Sequence, residues 1–165
     1  MSRRKVITWS LIAVPVLFIV FVFASCAPDI LANNRHLHQM EIALAIIPVP
    51  SQTQLLTSRS AVGLLVGNGN HCDFFAGTLF RSTSTPDWIR QHYAGRTFLN
   101  PVTSKQEQID VTILTNSESL SSQWLPNRFE RIEAWGLSPK TLATGTVFLI
   151  SIMRSYEANN DCRCH

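Results

Sequence analysis

Past residue 26 the chain carries three cysteines, Cys72, Cys162 and Cys164, with His71 beside the first and His165 beside the last. Thiolates and an imidazole are soft or borderline donors. Cys72, Cys162, Cys164 and one histidine would therefore make a four-ligand set for zinc or Cu(I). In an oxidising compartment two distant thiols join instead, and a bridge from Cys72 to Cys162 or Cys164 would pin a C-terminal tail that otherwise frays. Arg163 between the paired thiols could lower a thiol pKa, as a redox centre requires, although no helix clearly begins there to help. The one-residue spacing of Cys162 and Cys164 is not the two-residue spacing of common zinc knuckles, which favours the bridge, and no metal or cofactor is assigned. One bridge among three thiols leaves one over, open to reaction or to pairing between chains.

Other chemistry-bearing types lack partners, and no catalytic residue is assigned. Gly67-Asn68-Gly69-Asn70 has neither the third glycine of the dinucleotide fingerprint nor a following Gly-Lys-Ser/Thr, so it reads as a turn permitting positive φ. His36 and His38 would fall on nearly opposite sides of a helix and read as solvated. His92 reads as an edge-of-core residue. Asp73 and Asp110, the acids nearest apolar strand positions, read as the wet face of strands. There is no Gly-x-Ser-x-Gly elbow and no His-Glu-x-x-His.

The N-terminus decides where such chemistry would sit. Arg3, Arg4 and Lys5 precede an almost wholly apolar run from Val6 to Ser25, and Cys26 closes it. As a helix that run rises about 30 Å, enough to cross a bilayer. Two devices fit. Phe23-Ala24-Ser25-Cys26 resembles the bacterial lipobox, with Phe23 where an aliphatic residue is usual; that resemblance implies lipid attachment at Cys26 and removal of the residues before it. The same run serves equally as an uncleaved single-span anchor. The Arg3-Arg4 pair also looks like a twin-arginine export signal, although a plain positive leader accounts for the same residues. The basic flank favours the cytoplasmic side, which places the remaining chain outside.

Composition looks basic until it is divided. Three of the 14 Lys and Arg belong to the leader, and the rest balance 11 Asp and Glu, so the body is formally neutral. A pI near 8.9 is thus a property of the targeting segment, and nucleic acid is excluded as an expected partner.

Periodicity supplies the elements that must position the cysteines. Residues 27–34 read as a juxtamembrane linker. Leu37, Met40, Leu44 and Ile47 then recur at helical steps behind possible caps Asn33 and Asn34. Pro48 and Pro50 end that helix; Gln54–Thr57 and Ala61–Val66 read as extended chain, and Phe74–Arg81 as the returning strand. Ser84-Thr85-Pro86-Asp87 announces a second helix, with a hydroxyl cap, proline at the first position and an acid in the first turn. Ile109, Val111 and Ile113 alternate with polar residues as one strand, Phe129–Trp135 is ambiguous, and Val147–Met153 is continuous enough for a central strand covered on both faces. Most aromatic residues, Phe74, Phe75, Phe80, Trp88, Trp135 and Phe148 among them, read as core. Trp124, in a Ser-rich stretch before Pro126, reads as exposed.

The expected fold is α+β: an N-terminal membrane segment followed by one small domain with a mostly antiparallel sheet and two or three helices packed on it. The divisions are 1–26 for the leader or anchor, 27–34 for the linker, 35–158 for an extracytoplasmic domain and 159–165 for a Cys-rich tail. The functional expectation is a non-enzymatic, membrane-tethered binding or accessory module with a protein or small-molecule partner. Its alternative is a small metal- or thiol-dependent protein using Cys72, Cys162 and Cys164.

Overall fold

The computed structural model describes residues 3–67, 69–114, 135–136, 145–157 and 159–164, and within the first helix the side chains of 3–12, 18–19 and 21–23 lie outside the description. The order is helix α1 (Arg3–Ala45), strands β1 (Thr53–Gly63) and β2 (His71–Ser82), helix α2 (Pro86–Tyr93), strands β3 (Thr97–Leu99), β4 (Gln106–Gln108), β5 (Asp110–Leu114) and β6 (Thr146–Glu157), and a terminal 3-10 turn at Cys162–Cys164. This is a small α+β domain. Four strands form an antiparallel sheet in the order β1-β2-β6-β5, and β3 and β4 form a separate hairpin.

The sheet follows from two apolar strands that must be covered on both faces. β2 and β6 pair along their full length, from His71 opposite Glu157 to Ser82 opposite Thr146. Because side chains alternate across a strand, Phe74, Ala76, Phe148, Ile150 and Ile152 point to one face while Phe75, Leu79, Val147 and Leu149 point to the other. Met40 and Leu44 of α1 and Ile89 and Tyr93 of α2 close the first face. Trp135 lies against the second, edge-to-face with Phe75 at 6.1 Å between centroids. Gly77 makes that seat possible: a Cβ there would stand 2.7 Å from the Phe75 ring and 2.9 Å from the Trp135 indole. The Val147–Met153 strand is therefore central, as its composition requires, and extends to Glu157.

Helix α2 starts as its sequence specifies. The Thr85 hydroxyl accepts the Trp88 N–H, Pro86 opens the helix and Asp87 occupies the first turn. Ile89 and Tyr93 are buried, whereas Trp88 is 44% exposed and stacks on His92.

Three local expectations change. Residues 27–34 are helix rather than linker, since α1 runs unbroken from Arg3 to Ala45 through Pro15 and Pro28. Asn33 and Asn34 consequently lie inside a helix and cap nothing. Asp73 is fully buried rather than on a wet face, whereas Asp110 keeps about half of its side chain exposed, beside Arg154, as a wet face requires. The β3–β4 hairpin has no hydrophobic alternation to announce it; Asn100 organises its turn, accepting the Val102 and Thr103 N–H groups at 2.8 and 3.2 Å. The readings of Trp124 and of Phe129–Ala134 fall outside the described residues, as does His165. Among the described residues no helix is long and apolar enough to cross a membrane.

Candidate functional site

Four cysteines from three segments far apart in sequence meet where the middle of α1 passes the C-terminal tail. Cys26 is bonded to Cys162 and Cys72 to Cys164, with Cα separations of 5.7 and 4.6 Å. The sequence leaves the partner of Cys72 open between Cys162 and Cys164, and the fold selects Cys164. β2 delivers Cys72 to the helix-covered face and the 3-10 turn delivers Cys164 to the same buried point. The structure gives Cys26 a role that competes with the lipid attachment expected there. Its sulfur is engaged with Cys162, and a sulfur in a disulfide cannot also form the thioether that lipidation needs. No free cysteine is left among the described residues.

A polar network closes around the bridges. The Asp161 carboxylate, fully buried, receives the Arg163 guanidinium at 2.9 and 2.6 Å and the Asn33 amide at 2.9 Å. These donors, the Arg163 side chain foremost, hold its pKa down at about 2 despite the opposing effect of burial. Asn33 also donates toward Cys72 Sγ at 3.5 Å and exchanges hydrogen bonds with Asn159. Arg163 reaches across to Asn34 at 2.9 Å, and the Asn160 N–H donates to Asp29 at 3.0 Å. On the sheet side the Leu64 N–H donates to the Arg163 carbonyl at 2.7 Å. Gly63, at φ +139°, allows that approach, because a Cβ there would come within 2.9 Å of the same carbonyl. The tail is thus fastened to both α1 and the β1–β2 turn.

As a metal centre the site is partly assembled. Ligand atoms of Cys72, Asp161 and Cys164 lie within 4.8 Å of one another. Cys162, expected in that set, pairs with Cys26 instead, and His71 turns away, placing Nε2 at 2.9 Å from the Val66 carbonyl and 3.3 Å from Asp73. Asp161 already faces a guanidinium, so a cation would need both a reduced bridge and displacement of Arg163.

Two further acids hold chain segments together, Asp73 fully buried and Glu107 partly so. Asp73 accepts the Leu65 and Val66 N–H groups at 2.9 and 3.0 Å and the Ser155 hydroxyl, holding the end of β1 against β2 and β6. Glu107 binds Arg154, Asn100 and Thr103. Burial alone would raise its pKa, but those donors and the Arg154 charge outweigh it and keep it below the usual value. Asp110 moves the other way, raised by desolvation that Arg154 only partly offsets. His36 lies near Phe74, and exposed His38 meets Glu41 at 3.2 Å, so the two imidazoles share no ligand.

Two concavities flank α1. A cleft of about 320 Å³ lies between the helix and the β1–β2 pair, where Glu41 accepts the Ser60 hydroxyl and Ser58 meets Thr78 at 3.1 Å. A groove of about 520 Å³ lies at the end of the helix against Phe98 and Leu99.

Sequence reasoning found the cysteines and the arginine between two of them, but it read Asn33 as a helix cap and gave Asp161 no role. Their signal was present as paired asparagines within a helical run and an Asn-Asn-Asp sequence in a tail; its meaning appears only when the two segments meet. No protein-family model matches the chain, and neither a curated protein nor a solved structure matches it, so its function is argued from its own geometry.

Proposed function

We propose that this protein is a non-enzymatic binding or accessory module held outside the cytoplasm by an uncleaved N-terminal anchor. The observation that carries the reading is the Cys26–Cys162 bridge. It begins one residue beyond the apolar run and ties the helix that continues from that run to the last residues of the domain. Two bridges are the mark of an oxidising compartment. The basic flank and the apolar run of the sequence support the anchor, and the clasp adds a disulfide tie between α1 and the C-terminal tail.

Binding is favoured over catalysis because the acids of the interior and its edge are engaged in holding chain segments together. Asp73, Asp161 and Glu107 each receive several donors from the surrounding fold, backbone N–H groups, Arg163 and Arg154 among them, which occupies their oxygens. The cleft beside Glu41 is within the size range of small-ligand sites. The metal- or thiol-dependent reading has less support, since its four-ligand set is divided between two bridges.

Expression of the full chain with a C-terminal tag tests the proposal. The expected product resists alkaline carbonate extraction, has an intact mass that includes residues 6–25, and carries a tag accessible from outside the cytoplasm. Recovery in the soluble fraction, or a lipid-modified mass starting at residue 26, would overturn it. Destabilisation by a chelator rather than by a reductant would favour the metal reading.

A further inference from the structure

The two bridges differ in access. Cys72 and Cys164 are 1% and 0% exposed, sealed beneath α1 and the tail. Cys26 is 7% exposed, but its partner Cys162 lies on the surface at the start of the 3-10 turn. Exchange requires in-line approach of a thiolate to a disulfide sulfur, so access decides which bridge and which sulfur reacts.

We propose that Cys26–Cys162 is a thiol–disulfide exchange site for a dithiol reductant, attacked at Cys162, and that Cys72–Cys164 is a structural bridge outside that chemistry. The incoming thiolate forms a sulfur–sulfur bond to Cys162 as the Cys162–Cys26 bond breaks. Cys26 departs as a thiolate and takes a proton from water. The second thiol of the reductant, deprotonated, then displaces Cys162 and closes its own disulfide. The bridge gains two electrons, the dithiol loses two, and both cysteines end as thiols.

The surroundings limit what that reduction releases. Cys164 keeps the tail fastened to β2, the Leu64 N–H keeps the Arg163 carbonyl, and Asp161 keeps Asn33 and Arg163. Reduction therefore removes only the disulfide tie between the C-terminal tail and α1 at the end of the apolar run. The step acts at the junction through which any anchor would transmit orientation to the domain. It rests on burial and connectivity, and holds whether or not the apolar run spans a membrane.

The test treats the full chain in detergent micelles with dithiothreitol under native conditions, quenches with an alkylating maleimide at intervals, and reads intact mass and peptide maps. The expected first product carries two labels, at Cys26 and Cys162, and forms at least about tenfold faster than labelling of Cys72 and Cys164, which must wait for the domain to open. Simultaneous four-fold labelling, or labelling of Cys72 and Cys164 first, overturns the assignment. The paired variant Cys26→Ser/Cys162→Ser should lose the fast phase and keep the slow one, while Cys72→Ser/Cys164→Ser should retain the fast phase. Persistence of the fast phase in the first variant, or its loss in the second, also overturns it.

Discussion

The centre of the sheet is buried and the clasp at the tail is buried at Asp161, Cys72 and Cys164 but open at Cys162, and the two are held by different forces. β2 and β6 meet through Phe74, Phe75, Phe148, Leu149, Ile150 and Ile152, and the stabilisation is apolar area removed from water. The clasp meets through two disulfides, a buried carboxylate, a guanidinium and three asparagines, with little apolar surface of its own. A core of the first kind is indifferent to redox state and to moderate acid. A clasp of the second kind depends on both, which makes it the part of this molecule that its surroundings can address.

The largest expected effect breaks the apolar side. Phe148→Ala removes a fully buried ring that stacks on Phe80 at 5.4 Å, and should cost about 3–5 kcal/mol with the loss unchanged by reductant. Urea unfolding with and without dithiothreitol reads both quantities. Equal destabilisation that vanished under reductant would mean that the core depends on the bridges after all.

Next comes Cys72→Ser, which opens a loop with sequence separation 92. About 2–4 kcal/mol should be lost under oxidising conditions, and part of the reductant dependence of the melting temperature should go with it. Wild type that melts identically in oxidising and reducing buffer would sink the account of the clasp.

Asp161→Asn sharpens the electrostatic half of the comparison. With its pKa held at about 2 by Arg163, against an ordinary value of 3.8, Asp161 binds fewer protons folded than unfolded at acid pH. Its contribution is therefore fully present above about pH 4 and is lost as pH falls toward 2, and its size at neutral pH is about 2 kcal/mol. The variant should be less stable at pH 7 and show a flatter stability profile between pH 4 and 2. A parallel profile would place the acid sensitivity elsewhere.

The smallest effect belongs to a local contact far from the clasp. Thr85→Ala removes the hydroxyl that accepts the Trp88 N–H and should cost about 0.5–1 kcal/mol, independent of reductant and of acid. Calorimetry at pH 7 and pH 3 checks that independence.

Legibility in the sequence follows the same division. The β2 and β6 strands, the turn between β1 and β2 and the start of α2 are set by neighbours a few residues apart: near-continuous apolar runs, a glycine with positive φ, a hydroxyl followed by proline and an acid. These are visible in one dimension because the forces that select them are local or depend only on having enough apolar area. The helical reading of 27–34 was hidden by Pro28, which normally argues against continuation. What holds that segment is the tail, through Cys162, Asn160 and Arg163, none of which is near it in sequence.

By itself, then, the sequence determined an α+β domain with an antiparallel sheet behind an apolar N-terminal run, and it marked the cysteines as the residues to watch. Tertiary structure alone decided that Cys26 belongs with Cys162 and Cys72 with Cys164, and that Asn33, Asp161 and Arg163 stand between them. The physical reason is that periodicity records which face of an element is buried, whereas pairing depends on where two faces meet. Sulfurs 92 and 136 residues apart in sequence carry no local signature of their partners until the sheet and the helix have brought them within reach.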